Sequence, residues 1–98
     1  MDLNPKLLYA ARVALGLSRE RVAELAGIGL RTLASMERAE SSSVETYLKV
    51  REAFERLGVV FEARTDLRGP SITLPLTWTD PTIVKPQQRS RLRKSASD

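Results

Sequence analysis

Apolar residues recur at helical spacing in four successive stretches, and the pattern changes near residue 59. Asn4-Pro5 reads as a helix start, with asparagine as N-cap and proline at the first helical position. Leu8, Ala11 and Leu15 follow on one face, and Gly16 predicts the stop. Ser18 predicts the cap of a second helix whose apolar set is Val22, Ala23, Leu25 and Ala26, ended by Gly27. A third spans Leu30 to Arg38 with Leu33 and Met36 inward. After the polar connector Ser41-Ser42-Ser43, the spacing of Ser42 and Glu45 fits a capping box. The fourth helix runs to Leu57, burying Tyr47 or Leu48, a position near Val50, Phe54 and Leu57, with Gly58 closing it.

Beyond Gly58 the period drops to two. Val59 to Arg64 is rich in β-branched and aromatic residues, and Ser71 to Leu76 alternates polar with apolar. Thr65-Asp66-Leu67-Arg68-Gly69-Pro70 between them has turn composition, so a β-hairpin is the economical reading. Two strands alone are marginal in water. The hairpin must therefore pack on the helices or pair with a second subunit. After Thr79 almost nothing apolar remains, and that end reads as disordered when alone. The pattern divides the chain into a helical domain over 1–64, a hairpin or arm over 65–84 and a basic tail over 85–98.

Composition narrows the chemistry. The 98 residues contain neither histidine nor cysteine, which removes imidazole bases, thiol nucleophiles, zinc sites and disulfides. No acid–base or nucleophile constellation is visible, so the expectation is a protein that is not an enzyme and needs no cofactor or metal. No stretch approaches 18 uninterrupted apolar residues and no leader pattern is present, which predicts neither a membrane partner nor export. The net charge of +4 is unevenly placed: Lys85, Arg89, Arg91, Arg93 and Lys94 face only Asp98, while the first 80 residues carry equal numbers of each sign. Any affinity of the body for a polyanion must rest on where its charges sit.

The stretch Leu15-Gly16-Leu17-Ser18, then Ala23, Ala26-Gly27-Ile28, Thr32-Leu33 and Glu37-Arg38, resembles the helix-turn-helix of the phage repressor and Cro family, also called the xenobiotic response element family. Ser43-Val44-Glu45-Thr46-Tyr47-Leu48 is similar to the start of that family's next helix. The likeness covers about residues 5 to 61. It implies a mainly α fold of four to five helices carrying a β-hairpin or arm and a basic tail. It also implies double-stranded DNA as partner, with the third helix in the major groove and the second crossing the backbone.

Position by position, the resemblance places Leu30, Arg31, Ala34 and Ser35 at base edges. Arg31 can donate two hydrogen bonds to guanine, worth ~1–3 kcal/mol of discrimination. Ser35 is a permissive reader, and Leu30 stands where relatives carry a polar or basic residue. Gly29 replaces the usual serine or threonine cap, a loss of a few tenths of a kcal/mol. Ser18, Arg19, Thr32 and Arg38 match phosphate positions. Arg12 and Glu37 match a pair that forms a buried ion pair in many relatives. Arg89 to Lys94 reads as a run along DNA phosphates or, the favoured reading, as a solubilising disordered end; the competing readings elsewhere are a solvated surface arginine for Arg31, Arg19 and Arg38 and a generic helical hairpin for the helix pair. Trp78 reads equally as an anchor of the arm on its own core or as a contact for another protein. The acidic residues Glu20, Glu24 and Glu40 flank the surface, and Glu45, Glu52 and Glu55 with Lys49, Arg51 and Arg56 read as an ordinary solvated helix face.

The expectation is a cytoplasmic, nucleoid-associated transcriptional regulator of bacterial or phage type, acting as a repressor and a homodimer. One alternative is an antitoxin whose residues 65–98 wrap a toxin. Another is an interaction module that has lost DNA binding through Leu30 and Gly29.

Overall fold

The computed structural model describes residues 3–40 and 42–80. Its elements are α1 (Pro5–Leu15), α2 (Arg19–Ala26), α3 (Leu30–Glu37), α4 (Val44–Arg56), β1 (Val60–Glu62) and β2 (Ser71–Thr73). The chain is thus mainly α with a two-stranded antiparallel hairpin. The apolar positions predicted from spacing meet in one core: Leu8 and Ala11 from α1, Val22 and Ala23 from α2, Leu33 and Met36 from α3, then Tyr47, Val50 and Phe54 from α4, and Val59. Among the described residues no helix is long and apolar enough to cross a membrane.

Every helix stops in the same way. A residue one or two places past the helix turns left-handed, and its own amide and the next bond back to the last turn. Gly16 and Gly27 do this at φ 71°, Gly58 at 97° and, without a glycine's freedom, Ala39 at 58°. The amides of Leu17, Ile28, Glu40 and Val59 reach the carbonyls of Arg12, Ala23, Ser35 and Phe54 at 3.0–3.1 Å. These stops fix the angle at which each helix hands the chain to the next.

Distant groups take two of the carbonyls that remain. The Trp78 indole N–H donates to the Ala14 carbonyl at 2.6 Å. An Nη2 proton of Arg56 donates to the Leu25 carbonyl at 2.9 Å. Carbonyls of a last helical turn have no partner inside the helix, which is why both are open to donors from elsewhere in the chain.

The hairpin registers Val60 with Thr73, Phe61 with Ile72 and Glu62 with Ser71. Phe61 and Ile72 face the helices, and the Phe61 ring tilts against Phe54 with centroids 6.5 Å apart. Inward packing thereby supplies what two strands alone lack. β2 docks beside α1. Pro75 presses on Gly58: a Cβ built there would lie 2.9 Å from the Pro75 Cβ.

Four local expectations need correction. Ser43, not Ser42, caps α4: its Oγ accepts the Thr46 amide at 3.1 Å, and the Ser42 hydroxyl donates instead to the Ser43 carbonyl. The Ser42–Glu45 capping box therefore does not form. Asn4 occupies the cap position of α1, but its side chain makes no cap bond, because the Asn4 carbonyl already receives the amides of Leu7 and Leu8. Leu57 lies past the last turn of α4 and is exposed, its expected inward place being taken by Ala53 and Val59. Leu25 is half-buried and outside the core, which α2 reaches through Val22 and Ala23. The strands are also shorter than the alternation suggested. Thr65 closes the turn early, its Oγ1 accepting the Leu67 and Arg68 amides, and Pro75 has no amide to extend the ladder. The tail 85–98 and residues 81–84 of the arm lie outside the described residues.

Candidate nucleic-acid interface

α2 and α3 meet across the turn Gly27-Ile28-Gly29. Ala23 is small enough to let the two helices close, and Ile28 packs part-buried against the core. The Ser18 Oγ accepts the Arg21 amide at 3.1 Å and fixes the start of α2. No side chain caps α3, because Gly29 has none to offer. What orients α3 is burial: Leu33 and Met36 are fully enclosed, so the helix cannot rotate without exposing them.

Rotation of about 100° per residue then decides what faces outward. Arg31, Ser35 and Arg38 share the side opposite Leu33 and Met36, with Ala34 beside them and Leu30 and Thr32 on the two flanks. Leu30, Arg31, Thr32 and Arg38 are exposed, and Ala34 and Ser35 are half-buried. Arg31 makes no ion pair or hydrogen bond among the described residues, so its donors are uncommitted. Leu30, at 45% exposure, offers an apolar edge at the start of the helix. Among the described residues the arm does not line this surface: Trp78 docks at the end of α1 instead.

A shallow trough runs from this face to the start of α4, lined by Arg31, Thr32, Ser35, Ser42, Ser43 and Thr46. Hydroxyls and one guanidinium are groups that bond phosphate oxygens and base edges alike. The sequence reading left Ser42, Ser43 and Thr46 out of the surface. The signal available was the α4 cap itself, since the chain must return beside α3 to begin that helix.

The arginines matched to phosphate differ in their surroundings. Arg38 is engaged at the surface by Glu40. Arg19 Nε donates to Glu37 Oε1 at 2.9 Å, and this hydrogen bond, with the carboxylate's charge, raises the Arg19 pKa above its ordinary value. The Glu37 side chain is only 3% exposed. It receives a two-pronged contact from Arg12, Nε to Oε2 at 2.6 Å and Nη2 to Oε1 at 3.2 Å. Arg12 also donates to the Leu17 carbonyl at 3.0 Å and lies over the Tyr9 ring, 5.3 Å from its centroid. One carboxylate at the end of α3 therefore ties α1 and α2 to it. On the sequence alone Arg19 and Glu37 had separate roles, and their contact was missed because it joins residues 18 apart in different helices.

Two short helices meeting at a glycine turn, the second held by its buried face and presenting a polar stripe, define a helix-turn-helix DNA-binding unit. Residues 8–58, just over half of the chain, match the helix-turn-helix family. The protein belongs to that family and is a DNA-binding transcriptional regulator of the Cro and xenobiotic response element type. No curated protein matches its sequence.

Proposed function

We propose that the protein is a repressor that binds its operator as a homodimer and excludes transcription by occupying the site. Two copies of α3 set one DNA turn apart, ~34–36 Å, would read a near-palindromic sequence. Leu30, Arg31, Ala34 and Ser35 choose the site, and Ser18, Arg19, Thr32 and Arg38 fix the register through phosphates. Neither cofactor nor catalysis has a part in this reading, and the protein works in the cytoplasm at the nucleoid. The observation that carries it is Arg31: a guanidinium on the open face of α3, without a partner among the described residues. An arginine buried there, or one whose donors were spent on carboxylates, would have fewer left for a base.

The test begins by enriching duplexes from a random-sequence pool with the full chain. An enriched motif with two symmetric halves, bound by a two-copy species, supports the reading. Arg31→Ala should then lose discrimination at one base pair per half-site by ~1–3 kcal/mol. Equal affinity of variant and parent for the enriched duplex sinks the assignment of Arg31. Absence of any salt-dependent affinity favours the interaction module.

A second reading, the antitoxin, draws on Leu67 and Leu76, which lie almost wholly in solvent on the arm. Such side chains suit a protein partner better than water. Neutralisation of a toxic product encoded beside this chain, lost on Leu76→Ser, would favour that role.

A further inference from the structure

We infer that Glu37 is a positioning residue for DNA binding: its buried carboxylate holds Arg19 so that the remaining guanidinium nitrogens are presented to a backbone phosphate. This rests on the reading of Arg19 as a phosphate contact and adds how that contact is prepared.

Arg19 begins α2, its side chain is 47% exposed, and its Nε donates to Glu37 Oε1 at 2.9 Å. Both Nη groups are without a partner among the described residues. A guanidinium is flat and its donors lie at fixed angles, so anchoring Nε sets where the Nη protons point. The anchor is rigid because the Glu37 side chain is itself held twice by Arg12 and is 3% exposed. Ordinarily a surface arginine loses rotamer freedom when it grips a phosphate. Here that freedom is already lost in the unbound protein, so less is lost on binding.

The opposite effect is also physical. The Glu37 charge attracts Arg19 inward and opposes a phosphate's approach. Position decides the balance: Glu37 lies beneath the guanidinium and shares its charge with Arg12, and the outer edge of Arg19 keeps its four Nη protons.

The experiment is a double-mutant cycle on the full chain, with affinity for a mixed-sequence duplex about three helical turns long measured over a salt series. Arg19→Ala should lower the salt slope by roughly one phosphate, ~0.9. An unchanged slope overturns the phosphate reading of Arg19 itself, separately from the role of Glu37. Glu37→Gln, the nearly isosteric amide, should weaken binding roughly two- to tenfold when Arg19 is present, and not at all in the Arg19→Ala background. Equal losses in both backgrounds reduce Glu37 to a structural part, and tighter binding by Glu37→Gln reverses the inference; either result overturns it. Should Glu37→Gln fail to fold, Arg19→Lys decides, because it leaves the Arg12–Glu37 pair intact. One ammonium cannot hold carboxylate and phosphate with the same fixed fork. Affinity should fall roughly two- to tenfold with the salt slope kept, and parity with the parent overturns the inference.

Discussion

The Trp78 indole and the Ala14 carbonyl, 64 residues apart, are joined by a 2.6 Å hydrogen bond that finishes α1 from the far end of the arm. Trp78→Phe keeps the ring's bulk and removes the donor, leaving a part-buried carbonyl unpaired. The expected loss is ~1–2 kcal/mol in urea unfolding. Trp78 is also the only tryptophan. Its fluorescence transition should coincide with the helical circular-dichroism transition, because the arm and α1 unfold as one unit; an earlier fluorescence midpoint contradicts this.

The Arg12–Glu37–Arg19 cluster predicts a ranking. Glu37→Ala leaves Arg12, only 13% exposed, beside no carboxylate and should cost ~3–5 kcal/mol. Arg12→Ala should cost less, because Arg19 still answers the Glu37 charge. Arg19→Ala removes a half-exposed partner screened by water and should cost least of the three. Chemical denaturation of the three variants checks the order, and a larger loss for Arg19→Ala than for Glu37→Ala contradicts it.

Gly58 and Gly27 separate backbone strain from crowding. Both have positive φ, so alanine at either position costs ~1–2 kcal/mol. A Cβ at Gly27 meets open space, whereas one at Gly58 strikes Pro75. Gly58→Ala should therefore lose ~1–3 kcal/mol more than Gly27→Ala, through displacement of the segment after β2. Thermal unfolding of the two variants measures the difference, and equal losses would show that Pro75 moves aside freely.

Ala39 invites the reverse substitution. Held at φ 58°, it bears the left-handed penalty that the other three helix ends avoid with glycine. Ala39→Gly removes that strain and gives back part of it as unfolded-chain entropy. A net gain of ~0.5–1 kcal/mol is expected, a rise of a few degrees in Tm. An unchanged or lower Tm would mean that the turn carries little strain.

The helical core was legible because its signals are local. Leu8, Ala11, Val22, Leu33, Met36, Val50 and Phe54 repeat at helical spacing, and three of the four stops carry glycine. The fourth stop, at Ala39, was not visible, because no local rule marks an alanine that tertiary packing holds left-handed. Ser43 displaced Ser42 as cap by a shift of one residue, which spacing alone does not resolve. The choice between Tyr47 and Leu48 needed the direction from which α2 packs: Tyr47 is buried and Leu48 exposed. At the interface, residue types placed Arg31 and Ser35 on one face of α3. The trough shared with Ser42, Ser43 and Thr46, and the Arg19–Glu37 contact, depend on the distance between helices, which a linear pattern does not contain.

The division of labour along α3 bears on retargeting. Leu33 and Met36 lock the helix from beneath and Glu37 secures its far end, whereas Leu30, Arg31, Ala34 and Ser35 lie outside the core cluster. A combinatorial library confined to those four sites should keep its scaffold nearly intact in most members, so survivors of a selection would differ in the sequence they prefer more than in whether they fold.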